Sequence, residues 1–442
     1  MRRLLVPLTC AALTTFPAHA QTGEVRPVLP AAAGGVAAPP STGAVTVPST
    51  ATAASAAATG LTLDAAIQMA LQHNPRLRAV GFELDASDGA IHQAGLIPNP
   101  SLGIDQEDTR QDTRATTVMI NQTFELGGKR SARMELAQRT RDVASLDLAA
   151  QRADVRASAI QAFFDLLIAQ EKAKVAEASM QLAASGSDAV TRRVTAGKVS
   201  PTEEVRARVA EATARIELRQ AQSEQRAALS VLKTVMGLPA AEIASVDGRP
   251  DVLPLLPSEA ELAERIQNAP ALRRAQMEVE RADAAFNLER ARGVPDLTVG
   301  LGAKRAAELS RTQPMISLSI PIPLFDRNQG AQRQALRKRD AAQALAQAQA
   351  QRLRSEVQQA ADQLQARTEE IETLRREVLP GAQTAYDAAR RGFELGKFGF
   401  LDVLDAQRTL LQARGQYFAA LSQAHRLSAD IDRQLGVMPD RR

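Results

Sequence analysis

Two aspartates near the C-terminus have a type and spacing that could act on cations. Asp402 and Asp405 lie three residues apart in "LGKFGFLDVLDA", so on a helix their carboxylates would share one face. Grouped carboxylates raise the local concentration of cations, can bind a divalent ion weakly and disfavour anions. The alternative is structural: Asp402 would complement a helix N-terminus, and Asp405 would be solvated. From the residues alone, both interpretations stay open.

Other kinds of chemistry find little support in the sequence. His73, His92 and His425 are scattered, without the spacing of a closed metal site, and each is interpreted as a surface or packing histidine. The stretch "FELGGKR" lacks the G-x4-G-K-[ST] frame of a phosphate-binding loop. No Gly-x-Ser-x-Gly elbow offers a nucleophile. We therefore predict no catalytic residue, no cofactor and no protein-ligated metal, and we do not expect an enzyme.

The aspartate pair follows one of two similar turns. "AGKVSPTEEV" at 196–205 matches "LGKFGFLDVL" at 395–404, with an offset of 199 residues. The two turns differ at one informative place, because Arg206 stands in the first where Asp405 stands in the second. The carboxylate pair therefore belongs to the second turn alone.

Each turn is predicted to be the tip of a helical hairpin. Gly197 and Gly396 would end the preceding helices, because glycine tolerates the left-handed backbone of a helix C-terminus best. In the first turn, Ser200 and Glu203 would form a capping box on the next helix, with Pro201 at its first position.

The two turns belong to an internal duplication, since Pro75 matches Pro270 and Gly237 matches Gly436 at similar offsets. Each copy is predicted to contain a helix of about 35 residues, two strands, a helix about 100 Å long, the glycine turn and a last helix. The predicted bounds are 61–257 and 258–442 for the repeats, 62–97 and 258–293 for the first helices, and 129–195 and 328–395 for the long helices.

The long helices carry the pattern of a coiled coil. Apolar and small residues recur at spacings of three and four from Leu136 to Leu167, and again from Leu353 to Val378. Such a seam buries one stripe of each helix, and its small residues allow neighbouring helices to approach closely.

The segments between the first and the long helices alternate with period two. In "TTVMINQTF", Val118 and Ile120 fall on one side and Met119 and Asn121 on the other. This alternation is typical of strands between lipid and a watery lumen, although a soluble hairpin packed on helices would show it too. The aromatic girdle usual for outer-membrane barrels is nearly absent, with Phe124 and Phe325 as partial substitutes.

The N-terminus indicates export. Residues 1–20 have a basic start, an apolar run and an A-x-A-like end, which is the pattern of a cleaved signal peptide. Cys10 could instead be a lipid-anchor cysteine; otherwise the mature chain has no cysteine, which excludes disulfides. Residues 21–60 are rich in Pro and Ala and are predicted to be a flexible linker.

Four strands cannot close a barrel, and an open sheet edge in lipid leaves backbone groups unpaired. Three copies would supply twelve strands and continue as a helical tube. We therefore predict a mainly α fold with a small β part: a coiled-coil helical barrel and four membrane strands per chain, closed as a homotrimer.

No apolar run reaches the ~20 residues of a membrane helix. Mixed charges, with a net formal charge of +4, do not suggest nucleic-acid binding.

From about Leu61 to Pro439, including the duplication, the chain resembles the TolC-like outer-membrane efflux proteins. The stretches "QAGLIPNPSL", "FELGGKR" and "IPIPLFDRNQG" resemble the branch that serves cation efflux of the cobalt, zinc and cadmium type. The resemblance implies an exit duct in the outer membrane with a periplasmic helical extension. It also implies two partners, a periplasmic adaptor and an inner-membrane pump of the resistance-nodulation-division (RND) class.

The resemblance also gives roles to residues of the second tip and its counterpart. It implies that Asp402 and Asp405 narrow the periplasmic mouth of the pore. The residues it implies for adaptor docking are those at the two tips: Gly197, Lys198, Val199, Gly396, Lys397 and Phe398. Two other functions stay open, a duct for drugs, solvents or type I secretion, and a soluble periplasmic coiled-coil scaffold.

Overall fold

A computed structural model describes residues 60–309 and 311–436 of the chain. The predictions for the signal peptide, Cys10 and nearly all of the 21–60 linker lie outside the described residues. The helices are α1 (Leu63–His73), α2 (Pro75–Ala94), α3 (Lys129–Thr195), α4 (Pro201–Val235), α5 (Glu259–Gln267), α6 (Pro270–Arg292), α7 (Gln329–Thr373), α8 (Leu379–Glu394) and α9 (Phe400–Leu435). The strands are β1 (Ser101–Glu107), β2 (Ala115–Phe124), β3 (Leu297–Ala306) and β4 (Arg311–Ser319).

The first helix of each repeat is broken at a proline, so the prediction of continuous helices over 62–97 and 258–293 is wrong. Proline disfavours a helical conformation in the residue before it, and it cannot donate a backbone hydrogen bond. Asn74 sits at the first break, where its Oδ1 accepts from the Arg76 N–H at 2.9 Å and caps α2. Its Nδ2 also donates to the Val235 carbonyl at 2.8 Å, which ties the break to the end of α4.

Of the two long helices, the first is continuous and the second is not. Helix α3 runs unbroken over 67 residues, as predicted. In the second copy, a π-helical turn at Leu374–Val378 separates α7 from α8. Pro380 lies in the first turn of α8 and has no N–H to offer the carbonyl four residues earlier, so the backbone relaxes into wider turns. The prediction of one helix over 328–395 is therefore wrong at this point.

The four strands form one antiparallel sheet in the order β1-β2-β3-β4. Leu102, Ile120, Leu301 and Ile316 are paired across the sheet in one row. All four are exposed. The residues on either side of Ile120 in β2 and of Ile316 in β4 face the opposite side of the sheet and are half-buried. The predicted alternation is confirmed, with the large apolar side chains on the outward face.

The two largest cores among the helices lie mainly in one repeat each. The first includes Phe163, Leu166 and Leu232, and the second includes Leu364 and Leu421. Small residues share these cores with the large apolar ones, which is what the coiled-coil pattern predicts. Within the described part of the chain, no helix is both long enough and apolar enough to cross a membrane.

Candidate functional site

Both hairpin tips end their first helix in the same way. After α3, Gly197 has φ 67°, and the Lys198 N–H donates to the Arg193 carbonyl at 2.9 Å. After α8, Gly396 has φ 72°, and the Lys397 N–H donates to the carbonyl five residues earlier at 2.8 Å. This is the Schellman pattern, in which a left-handed glycine lets the chain turn back and satisfies the last helical carbonyls.

The helices that follow the two turns are capped differently. Ser200 Oγ accepts from the Thr202 N–H at 3.3 Å. Glu203 Oε1 lies 3.1 Å from Arg206 Nη1, in place of the predicted return to the backbone of Ser200. Arg206 lies one turn along α4 and offers Glu203 a cationic partner, whereas Asp405 at the matching position of the second tip offers Asp402 none. The predicted capping box is therefore only half formed.

At the second tip, Asp402 takes over the return contact of a capping box. Gly399 has no side chain to cap α9, and Asp402 Oδ2 accepts the Gly399 N–H at 2.9 Å. Asp405 lies one turn further along, and both aspartates are exposed. The cap uses only one carboxylate oxygen of Asp402. Both carboxylates therefore still present negative charge to solvent near the hairpin tip.

The predicted docking residues lie at the ends of the two hairpins. Gly197, Lys198, Gly396 and Lys397 are exposed and Val199 is half-buried. Phe398 is also exposed, yet one edge of its ring lies so close to the α-carbon of residue 392 that a Cβ there would clash, which explains the glycine at that position. Phe398 is 50% exposed, so part of its ring remains accessible.

The two tips pack against each other through residues that the sequence reasoning missed. The Arg193 guanidinium lies 4.3 Å from the centre of the Phe393 ring, and its Nη2 donates to the Phe393 carbonyl at 3.1 Å. Phe393 in turn contacts Phe400, which is buried with Val190. The arginine and Phe393 stand four and three residues before the tip glycines, and that was the only local signal.

A groove of about 580 Å³ lies between the tips. Its walls come from both copies and include Lys198, Phe398 and Asp402. Four of the six predicted docking residues, Lys198, Val199, Gly396 and Phe398, thus line one groove with Asp402, whereas Gly197, Lys397 and Asp405 do not line it. The arrangement joins basic, aromatic and acidic groups at the end of the helical part.

The histidines lie apart from this site. His425 is buried, with its ring stacked 3.6 Å from that of Phe164 and its Nε2 3.0 Å from the Pro250 carbonyl. Burial lowers the pKa of His425. His73 and His92 are exposed near the ends of α1 and α2. Across residues 60–309 and 311–436, no three His, Cys, Asp or Glu side chains are grouped so that they could hold a metal ion.

The sequence of the chain matches the family model described as "Outer membrane efflux protein" over residues 66–238 and 262–437. The chain belongs to the outer membrane efflux protein family. The predicted family and the predicted localisation, the outer membrane with a periplasmic helical extension, are confirmed. The family is one of efflux channels and not of enzymes.

Among curated relatives, the chain is 42% identical over 441 residues to the cobalt-zinc-cadmium resistance protein CzcC of Cupriavidus metallidurans, covering 99% of this chain and 100% of that protein. It is 28% identical over 294 residues to the nickel-cobalt-cadmium resistance protein NccC of Alcaligenes xylosoxydans xylosoxydans, covering 63% and 64% of the two chains. The predicted resemblance to the cobalt-zinc-cadmium branch is therefore confirmed.

Solved structures share the fold. The outer membrane protein VceC from Vibrio cholerae matches with a TM-score of 0.71 at 20% identity, covering 85% of this chain and 96% of that one. CusC matches with a TM-score of 0.71 at 19% identity, covering 85% and 92%. These similarities confirm the predicted fold class of long helices with a small β part.

Proposed function

We propose that this chain is the exit duct of a tripartite efflux system and that it carries divalent heavy-metal cations across the outer membrane. The observation that carries the proposal is the 42% identity to CzcC over nearly the full length of both chains. The outward apolar face of the sheet and the long helices fit a channel that crosses lipid with strands and continues through the periplasm.

The proposed assembly is a homotrimer. Strands β1 and β4 are the free edges of the sheet. Because β1 to β4 alternate in direction, β4 of one copy can pair antiparallel with β1 of the next. Three copies then close a twelve-stranded barrel and remove every free edge.

The proposed partners are a periplasmic adaptor and an inner-membrane RND pump, and the tips are the adaptor-docking surface. Gly197 and Gly396 create two exposed turns of the same geometry, so a trimer would present six nearly equivalent tips. Phe398 and the two lysines add an apolar and a basic contact to that surface. Arg193 holds the two tips of one chain together through Phe393.

The pore constriction is assigned to Asp402 and Asp405. Both are exposed at the tip end of α9, and a threefold axis would gather six carboxylates within one helical turn. Such a ring concentrates cations and repels anions at the periplasmic mouth. The first tip has Arg206 where the second has Asp405, so only the second tip contributes the pair.

The function is tested by deleting the gene and comparing tolerance of zinc, cobalt and cadmium with tolerance of dyes and detergents. The proposal expects metal tolerance to fall and to return when the chain is restored, with dye and detergent tolerance unchanged. Unchanged metal tolerance with lost dye or detergent tolerance would mean a drug or solvent duct. A protein that fractionates with the periplasm without detergent and forms no trimers would be a scaffold.

The constriction is tested by single-channel conductance of Asp402→Asn with Asp405→Asn. Asparagine keeps an acceptor for the Gly399 N–H, so the variant removes charge while preserving the helix cap. The matched control is Glu203→Gln, which removes one carboxylate at the equivalent position of the first tip. We expect the double variant alone to lose cation selectivity and block by divalent cations. Wild-type selectivity in the double variant would refute the assignment.

A further inference from the structure

Two coil segments extend the apolar outward surface of the sheet beyond the ends of its two edge strands. Residues 320–325 ("IPIPLF") follow β4, and residues 96–100 ("LIPNP") precede β1. We call these two segments the apolar collar. Their large side chains point into open space: Phe325 is 91% exposed, Ile322 78% and Ile97 67%.

The backbone of segment 320–325 is adapted to surroundings without water. Pro321 and Pro323 alternate with the apolar residues and have no N–H to satisfy. The Leu324 N–H donates to the Ile322 carbonyl at 2.9 Å. An irregular segment normally avoids lipid because its unpaired backbone groups cost several kcal/mol each, and here the two prolines and the Leu324 bond remove part of that cost.

Side chains from neighbouring residues satisfy carbonyls of the collar. Arg327 Nε donates to the Pro323 carbonyl at 3.2 Å, and Gln329 Nε2 donates to the Phe325 carbonyl at 3.0 Å. In segment 96–100, Gln122 Nε2 donates to the Pro98 carbonyl at 2.9 Å. These donors come from within the chain, so three carbonyls of the collar have a protein partner and do not depend on water.

The strands alone are too short to match a membrane. The outward apolar rows extend from Val118 to Phe124 on β2, which is about 20 Å along the strand and about 15 Å along the barrel axis at a tilt of ~40°. The lipid-facing band of an outer-membrane barrel is about 25 Å tall. Segment 320–325 would span at most about 18 Å along the chain if fully extended at ~3 Å per residue, which is enough to cover the missing ~10 Å.

The two segments of the collar lie at opposite edges of the sheet. Since β1 and β4 are the edge strands, closing the barrel would place segment 320–325 of one copy beside segment 96–100 of the next. The collar would then form a continuous ring at the periplasmic end of the strands. Charged residues begin just beyond it, at Asp326 and Arg327.

We propose that the apolar collar is a lipid-binding surface occupied by acyl chains of the inner leaflet of the outer membrane. The proposal rests on the proposed function, because it requires the sheet to lie in that membrane. It assigns part of the membrane contact to proline-containing coil, and it places the periplasmic boundary of the bilayer beyond the last strand residues, near Asp326.

Because the chain contains no tryptophan, single tryptophans can report its contacts with lipid. Phe325→Trp probes the collar. Ile316→Trp probes the strands, since Ile316 lies on the outward face of β4 and is 80% exposed. Leu255→Trp is the control, since Leu255 is 82% exposed in the segment between the repeats. Each full-length variant is placed in phosphatidylcholine vesicles whose acyl chains carry bromine at shallow or deep positions, and quenching of fluorescence is measured.

We expect bromolipid to quench Ile316→Trp and Phe325→Trp but not Leu255→Trp, with Phe325→Trp responding more to shallow than to deep bromine. Quenching of Ile316→Trp without Phe325→Trp would overturn the collar and leave the membrane channel standing. A blue-shifted, unquenched Phe325→Trp would mean that a second copy covers the surface, which also overturns it. If bromolipid quenched none of the three variants, the membrane placement itself would be refuted. Leu324→Trp repeats the test if Phe325→Trp does not assemble.

Discussion

Alanine at Gly237 is expected to destabilise the first repeat far more than alanine at the matching glycine of the second. Gly237 ends α4 with φ 72°. An added Cβ would lie 2.8 Å from the carbonyl carbon of His73 and closer still to its oxygen. These are backbone atoms at the break between α1 and α2, and Asn74 fixes that break by its hydrogen bond to Val235.

The expected cost has two parts. A non-glycine residue in the left-handed region costs about 1–2 kcal/mol, and forcing a Cβ into a packed site costs about 1–3 kcal/mol more. Gly237→Ala should therefore lose roughly 2–5 kcal/mol. Gly197 has φ 67° and open space around it among the described residues, so alanine there should cost about 1–2 kcal/mol. Gly436 combines φ 77° with ψ 146°, a backbone region that is essentially restricted to glycine, and among the described residues an added Cβ would meet only the Pro270 ring, at 3.2 Å. Alanine at Gly436 should cost about 1–3 kcal/mol.

The assay is denaturant unfolding of the detergent-solubilised protein, followed by circular dichroism of the helices. The three variants should rank with Gly237→Ala as the least stable, by at least about 1 kcal/mol. Equal losses in all three would show that only the backbone conformation matters and would refute the packing argument. A stable Gly237→Ala would refute both parts.

Two further changes test the packing around the segment that joins the repeats. Gln170→Leu should cost about 1–3 kcal/mol for each backbone group left unpaired, since Gln170 is buried and bonds both the N–H and the carbonyl of Val246; Gln181→Leu, further along α3, is the control in the same unfolding assay. His425 has a pKa lowered by burial from 6.5, so the unfolded chain binds more protons and stability should fall as pH drops below about 6.5, by at most ~1.4 kcal/mol per pH unit. His425→Gln should flatten that pH dependence, and an unchanged slope in the variant would contradict the assignment to His425.

The features predicted correctly from sequence are those with local signals. Helix α3 follows from a regular spacing of apolar and small residues, and the strands follow from period-two alternation. The tip turns follow from Gly197 and Gly396, because glycine is the residue that most readily adopts the left-handed conformation at a helix C-terminus. The breaks at Pro75 and Pro270 also had a local signal, the prolines themselves. The sequence analysis used these prolines only to align the two repeats and so predicted unbroken helices.

The features that the sequence did not reveal depend either on a contact between the two repeats or on a choice among several local geometries. The Arg193 to Phe393 contact joins residues 200 positions apart, and no spacing rule relates them. Glu203 had two possible partners within one turn, and the choice of Arg206 over the backbone depends on side-chain geometry. The π-helical turn before Pro380 reflects how a long helix accommodates one missing hydrogen bond, for which several solutions exist.

The most direct test of the account is the rate at which cells preloaded with radioactive zinc lose it. Cells that carry the proposed adaptor and pump are compared with and without this chain. If this chain is the exit duct, cells with the wild-type chain lose zinc rapidly and cells without it retain zinc. Equal rates of zinc loss in both strains would contradict the claim that this chain is the exit duct for divalent cations.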